Sequence, residues 1–191
     1  MPALTAELDG LASVRSKLAG NDGSRLPVEL ADGQMVESVL LPRDGLCVST
    51  QVGCCVCMTG KIRQVTGMEI LAQVVLARRL RAMKKVVFTG MGEPAHNLDN
   101  MLEAIDLLGA EGNIGQKNLV FPTVGDPRVF EALPQQRAKP ALALRTTKAK
   151  LREHQNCVGR TDRTWRETHS RHQLSDPASM EAAQGHQRQR R

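Results

Sequence analysis

Aromatic side chains are scarce in this 191-residue chain, which has one Trp, three Phe and no Tyr. Stacking of bases on aromatic platforms is thereby excluded as its main way of holding nucleic acid. No run approaches the roughly 18 consecutive apolar residues of a membrane-spanning helix. The first 25 residues contain Glu7, Asp9, Arg15, Lys17, Asp22 and Arg25 and lack the apolar core of a secretory signal. A soluble, cytoplasmic protein with no membrane partner is the expectation. In that reducing compartment, clustered cysteines read as metal-binding or redox-active before they read as disulfides. Net charge is also missing from most of the chain. Residues 1–144 hold 15 Lys+Arg and 15 Asp+Glu, so the whole +6 falls in residues 145–191. A basic tail of this kind either binds phosphate without sequence specificity or is simply solvated.

What is present in quantity is thiol, at one place. The five cysteines are Cys47, Cys54, Cys55, Cys57 and Cys157, and three of them crowd into "QVGCCVCMTG" at residues 51–60. Soft, anionic thiolates suit iron–sulfur clusters and also zinc. No second CxxC and no His at metal spacing accompanies them. Ligation of a cluster, ligation of zinc by Cys55 and Cys57 with an outside ligand, and small buried thiols in a loop are the open readings.

The order of elements sets the frame for this loop. Residues 1–26 are polar with a weak helical pattern through Leu4, Leu8, Leu11, Val14 and Leu18. "VELADGQMVESVLLP" places a D-G turn between two short Val/Leu runs, a hairpin signature. "LCVSTQV" (46–52) is a strand leading into the cysteines. Thr66 and Glu69 form a T-x-x-E capping box ahead of a helix with an apolar stripe of Ile70, Leu71, Val74, Val75 and Leu80. Arg78, Arg79 and Arg81 close that helix, where cations suit the dipole. Strands follow at 85–90, 117–121 and 139–144. Between them lie helices at 97–109 and 126–133, the latter with Asp126 as N-cap and Pro127 in its first position. This alternation predicts an α/β fold with a parallel sheet. Its active site belongs at the C-terminal ends of the strands. Both the cysteine cluster and "GMGEP" (91–94 with Gly90) come after a strand, so both should face that side. Beyond about residue 154 the sequence is rich in Gln, Arg, His and Ser and cannot bury enough surface to order itself.

The stretch "ADGQMVESVLLP…LCVSTQVGC…CMTG…GMGEPAHNLDN" resembles the RlmN/Cfr branch of the radical S-adenosylmethionine enzymes. Those proteins methylate an adenine of large-subunit ribosomal RNA, and some act on transfer RNA. The likeness runs from about residue 28 to about residue 153. It implies an incomplete (β/α) radical-SAM-type partial barrel preceded by a β-hairpin and followed by a disordered tail. The implied segments are an N-terminal segment (1–27), a partial core domain (28–153) and a basic tail (154–191), in a monomer.

The resemblance also implies roles. Cys54, Cys55 and Cys57 stand where the ligands of a [4Fe–4S] cluster would be. Gly92 and Glu93 match the pair that receives the amino group of S-adenosylmethionine. Glu37 matches a proton acceptor, and Cys47 matches a thiol that helps release a covalently tethered RNA product. His96 reads as a helix-start residue. The family's cysteine loop is longer by about four residues than this one, counted on cluster-ligand spacing. Pro122 replaces a cofactor-contacting serine, and Ala143 and Arg145 replace a serine and a histidine. Cys157 matches no family cysteine. Two functions are therefore carried forward. One is a radical S-adenosylmethionine methyltransferase of ribosomal or transfer RNA. The other is a truncated, partly degenerate, non-catalytic copy that at most binds metal or RNA weakly.

Overall fold

Alternating side chains build the first long hairpin. In β3 (Gly23–Leu30) the residues Leu26, Val28 and Leu30 are buried, and in β4 (Met35–Leu40) Val36, Ser38 and Leu40 are. Period-two burial is what a strand with one covered face produces. The turn between them is the expected D-G, with Gly33 at φ +79° and the Asp32 carboxylate accepting from the Gln34 N–H at 3.0 Å. The computed structural model describes residues 8–20, 23–54 and 60–144. The chain divides into two units, Met1–Gln155 and Asn156–Arg191, and all described residues belong to the first. The expected disordered tail lies outside the described residues.

The main sheet runs in the order β1-β3-β4-β5-β8-β9-β10, with β2 also pairing β3. β1 (Ala12–Val14) and β2 (Leu18–Gly20) lie antiparallel to β3. β4 is antiparallel to β5 (Gly45–Cys47). From β5 onward the pairing is parallel, through β8 (Lys85–Val87), β9 (Leu119–Thr123) and β10 (Ala141–Leu144). Helices α1 (Gly67–Leu80), α2 (Leu98–Ala110) and α3 (Pro127–Ala132) occupy the crossovers. Sequential neighbours in one winding direction are the start of a barrel, and among the described residues the sheet stays open. The expected α/β class with a parallel sheet is borne out.

Leu46, Val86, Phe88, Leu119 and Phe121 form the buried face of the parallel strands. Against them pack Ile70, Val74 and Ala77 of α1 and Met101, Ile105 and Leu108 of α2. The capping box of α1 is present: Thr66 Oγ1 accepts from the Glu69 N–H at 3.2 Å, and Glu69 accepts from the Thr66 N–H at 2.8 Å. Asp126 caps α3 and accepts from the Arg128 N–H at 3.0 Å.

Three expectations need correction. The weak helical pattern of residues 1–26 gives strands where the chain is described beyond residue 11, because Ala12 and Val14 are placed opposite Leu30 and Val28 of β3. Pairing with a distant strand outweighs a faint local period. The single strand at 46–52 is two, β5 and β6 (Gln51–Cys54), broken at Val48–Thr50. Over these residues the Val48 and Thr50 N–H groups donate to the Val87 and Met91 carbonyls, of β8 and the loop after it, and the Ser49 N–H to Gln73 of α1. Leu80, expected in the apolar stripe, is largely exposed, and Ala77 takes its place in the core.

Candidate active site

The "STQ" triplet at residues 49–51 organises the site. These side chains are polar and fully buried. Buried polar groups are costly unless paired, so their partners define local structure. Ser49 Oγ donates to the Glu37 carbonyl at 2.5 Å and accepts from the Met91 N–H at 2.9 Å. The Thr50 and Gln51 N–H groups both donate to the Met91 carbonyl, at 2.9 and 3.0 Å. Gln51 Oε1 accepts from the Glu93 N–H at 3.3 Å. The chain leaving β5 is thereby laced to the Gly90–Glu93 loop that follows β8.

Gln73 of α1 supports this lacing from below. It is fully buried within the apolar stripe. Its Oε1 accepts from Ser38 Oγ and from the Ser49 N–H, each at 2.9 Å. Its Nε2 donates to the Ser49 carbonyl at 3.0 Å. One side chain therefore ties α1 to β4 and to the Ser49 segment. Asn97 does similar work at the other end, donating to the Thr50 and Val65 carbonyls at 2.7 and 2.6 Å.

Two glycines let the loop approach this closely. A Cβ on Gly90 would lie 2.6 Å from Ser49 Oγ and 2.7 Å from its backbone nitrogen. Gly92 has φ +103°, and a Cβ there would lie 2.5 Å from Gln51 Cγ. Only glycine meets both demands at residue 92. Glu93 then caps the 3-10 turn Pro94–Asn97, accepting from the Ala95 N–H at 3.4 Å. His96 lies in that turn, as expected for a helix-start residue.

The cysteine segment is held by a second, small sheet. β6 pairs antiparallel with β7 (Gly60–Gln64), from Gln51↔Gln64 at the base to Cys54↔Gly60 at the tip. β7 was not expected from the sequence. Cys54 is thus the last residue of its arm. Cys55 and Cys57 follow it and lie outside the described residues. Arg63 anchors the base of the hairpin. It bonds Glu69 at 2.8 and 2.9 Å and Asp32 at 2.7 Å. Burial pushes the Glu69 carboxyl up, but Arg63 and the Thr66 N–H outweigh it and hold it below its ordinary 4.5. The Arg63 hydrogen bond likewise holds Asp32 below its ordinary 3.8.

Glu37 and Cys47 share the sheet face turned away from the helices. Val39 is opposite Cys47 in the β4–β5 register, and Glu37 lies two residues further along the same face. The Glu37 carboxylate is 3.8 Å from Arg25 and partly exposed. Cys47 is a free, half-buried thiol whose Sγ lies 2.5 Å from Thr89 Oγ1, just before the Gly90–Glu93 loop. Pro122 and Ala143 are direct partners in the β9–β10 register. The substitutions at these two positions are therefore side by side, and Arg145 lies outside the described residues.

Sequence reasoning missed Ser49, Gln51, Gln64, Gln73 and Thr89. The available signal was polarity out of place: "STQ" within an apolar strand and Gln73 within "ILAQVVL". Chemically, the strand ends carry a thiol, a carboxylate on each of two elements, and a hairpin that ends in cysteine. No group of three metal-binding side chains occurs among the described residues, which exclude Cys55 and Cys57. No described helix is long and apolar enough to cross a membrane.

No family model matches the chain. It is 80% identical over 161 residues to a probable RNA methyltransferase of Bordetella avium. It is 69% identical over 163 residues to one of Ectopseudomonas mendocina, and 71% identical over 162 residues to one of an Azoarcus species. Each match covers 80% of this chain and 46–47% of the relative, so the chain spans about half the length of the curated relatives it matches. The fold is similar to the crystal structure of a radical SAM methyltransferase from Sphaerobacter thermophilus. That match has a TM-score of 0.65 and 27% identity, and it covers 75% of this chain and 49% of the other. The likeness read from the sequence is borne out in two parts: to RNA methyltransferases by the curated relatives, and to radical SAM methyltransferases by the solved structure.

Proposed function

We propose that this chain carries the cofactor-binding half of a radical S-adenosylmethionine methyltransferase acting on an adenine of RNA. Ribosomal RNA is the first choice of substrate and transfer RNA the second; the protein works in the cytoplasm as a monomer. The observation that carries this reading is the lacing of the cysteine hairpin to the Gly90–Glu93 loop at the C-terminal ends of β5 and β8. In a βα-wound sheet, that edge is where loops assemble chemistry.

The donor chemistry fits the implied groups. Three thiolates close together in the sequence, Cys54, Cys55 and Cys57, would hold three irons of a [4Fe–4S] cluster. The cluster supplies one-electron chemistry when bound. A carboxylate following a glycine-built loop suits an ammonium group, so Glu93 and the Gly92 backbone would receive the amino end of S-adenosylmethionine. Cys47 and Glu37 lie on the open face, away from the helices, where an RNA base would approach. Thr89 holds the Cys47 thiol in place beside the cofactor loop. Glu37, partly exposed and within reach of Arg25, would accept a proton from the base. The hydrogen bond from the Ser49 hydroxyl to the Glu37 carbonyl fixes its strand against the cysteine-bearing one.

A second reading is non-catalytic, with metal or RNA bound weakly. It is favoured by the Cys54↔Gly60 pairing, which leaves residues 55–59 to carry two of the three thiols, one of them adjacent to Cys54. It is favoured also by Pro122 and Ala143, which offer no hydroxyl to a cofactor.

Anaerobic reconstitution with iron and sulfide separates the two. The enzymatic reading expects about four irons per chain, the matching visible absorption and cleavage of S-adenosylmethionine on reduction. A chain that takes up no cluster refutes it and leaves the second reading.

A further inference from the structure

The amide pair Gln51–Gln64 joins the two halves of the site. The residues face each other at the base of the β6–β7 hairpin, and the cysteine tip is at the other end. Gln51 Nε2 donates to Gln64 Oε1 at 2.9 Å. Gln51 Oε1 accepts from the Glu93 N–H. Gln64 Nε2 donates to the His96 carbonyl. The two amides therefore grip the start and the end of the turn that begins with Glu93. The Gln51 side chain is fully buried and packed against Gly92, where even one added carbon would collide with it.

We infer that Gln51 and Gln64 are positioning residues that set the cysteine hairpin in register with the Glu93 loop. The inference rests on the proposed function, in which the cysteines that begin at Cys54 and the Glu93 loop hold two parts of one bound assembly. A hairpin free to pivot on its base would move its tip relative to Glu93. The paired amides oppose that pivot, because breaking them leaves the buried Gln51 amide without its partners. Neither side chain need touch the cofactor for this.

The test uses the full chain with Gln51→Met, Gln64→Met and the double substitution. Methionine keeps the length and removes both hydrogen-bonding ends. In reconstituted protein, iron content should match that of the unsubstituted chain, since no thiol is touched. The S-adenosylmethionine concentration for half-maximal perturbation of the cluster's electron paramagnetic resonance signal should rise about tenfold, the cost of one lost buried hydrogen bond. The double substitution should be no worse than about either single one, because the pair acts as one link. Unchanged cofactor affinity, or fully additive effects, would overturn the inference.

Metal-free protein gives an independent readout. Hydrogen exchange at the Glu93 amide should quicken about tenfold in Gln51→Met, and in Gln64→Met if the first variant does not fold. Unchanged exchange at Glu93 refutes the link whether or not a cluster forms. Failure of the unsubstituted chain to take up a cluster refutes the proposed function alone.

Discussion

Replacing Gln73 with leucine is the most informative perturbation of the scaffold beneath the site. The two side chains are similar in size, so the substitution leaves little cavity and chiefly removes hydrogen bonds. The Ser49 N–H and Ser38 Oγ lose their acceptor, and the Ser49 carbonyl loses its Nε2 donor. Ser38 can rotate its hydroxyl, but the Ser49 amide is fixed by the backbone and fully buried. A buried donor left unsatisfied costs about 1–3 kcal/mol, and the orphaned carbonyl adds to it. Burial of the apolar leucine offsets part of this, so the expected loss is about 2–4 kcal/mol. Against the 5–15 kcal/mol typical of a whole domain, that is a large fraction. With a urea slope of about 2 kcal/mol/M, the unfolding midpoint should fall by about 1–2 M. Equilibrium urea unfolding of the metal-free chain, followed by far-UV circular dichroism, measures it. A shift below about 0.3 M would refute the assignment of Gln73 as the hub joining α1, β4 and the Ser49 segment.

Gly92→Ala should cost about 1–3 kcal/mol, because φ +103° is strained for alanine and its Cβ meets the Gln51 side chain. Gly10→Ala is its control: nothing lies within 4 Å of the added carbon, and the urea midpoint should stay level or rise slightly. Arg63→Met should make the chain less stable at pH 7, and the gap should close in acid. Asp32 and Glu69 both have lowered pKa values in the folded chain, so their contribution is complete above the unfolded pKa values. It is lost as pH falls below about 4 and through the folded values. Urea midpoints of the two proteins at pH 7 and pH 3.5 check this, and a gap that widens in acid would contradict it.

Local chemistry was readable and distant pairing was not. Thr66 and Glu69 announce a helix start because both partners of the capping box lie three residues apart. Asp126–Pro127 and Asp32–Gly33 are likewise complete within a few residues. The break at Val48–Thr50 could not be read, because its cause is the Met91 carbonyl forty residues away. β1 and β2 escaped for the same reason: their stability comes from β3, not from their own propensity. The site divides along this line too. Cys54 stood out in a crowd of thiols, whereas Glu37, Cys47, Gly92 and Glu93 were legible as candidates only through the family resemblance. Gln51, Gln64 and Gln73 were not legible, since an amide in a sequence gives no sign of whether water or a buried backbone is its partner.

The central claim is that the hairpin tip and the Glu93 loop form one cofactor site. The direct measurement is the electron paramagnetic resonance spectrum of the anaerobically reconstituted, reduced chain, before and after S-adenosylmethionine is added. The account predicts a [4Fe–4S] signal whose g-values shift when the cofactor binds, and no shift with Glu93→Ala. A chain without the signal, or a signal indifferent to the cofactor, would contradict it.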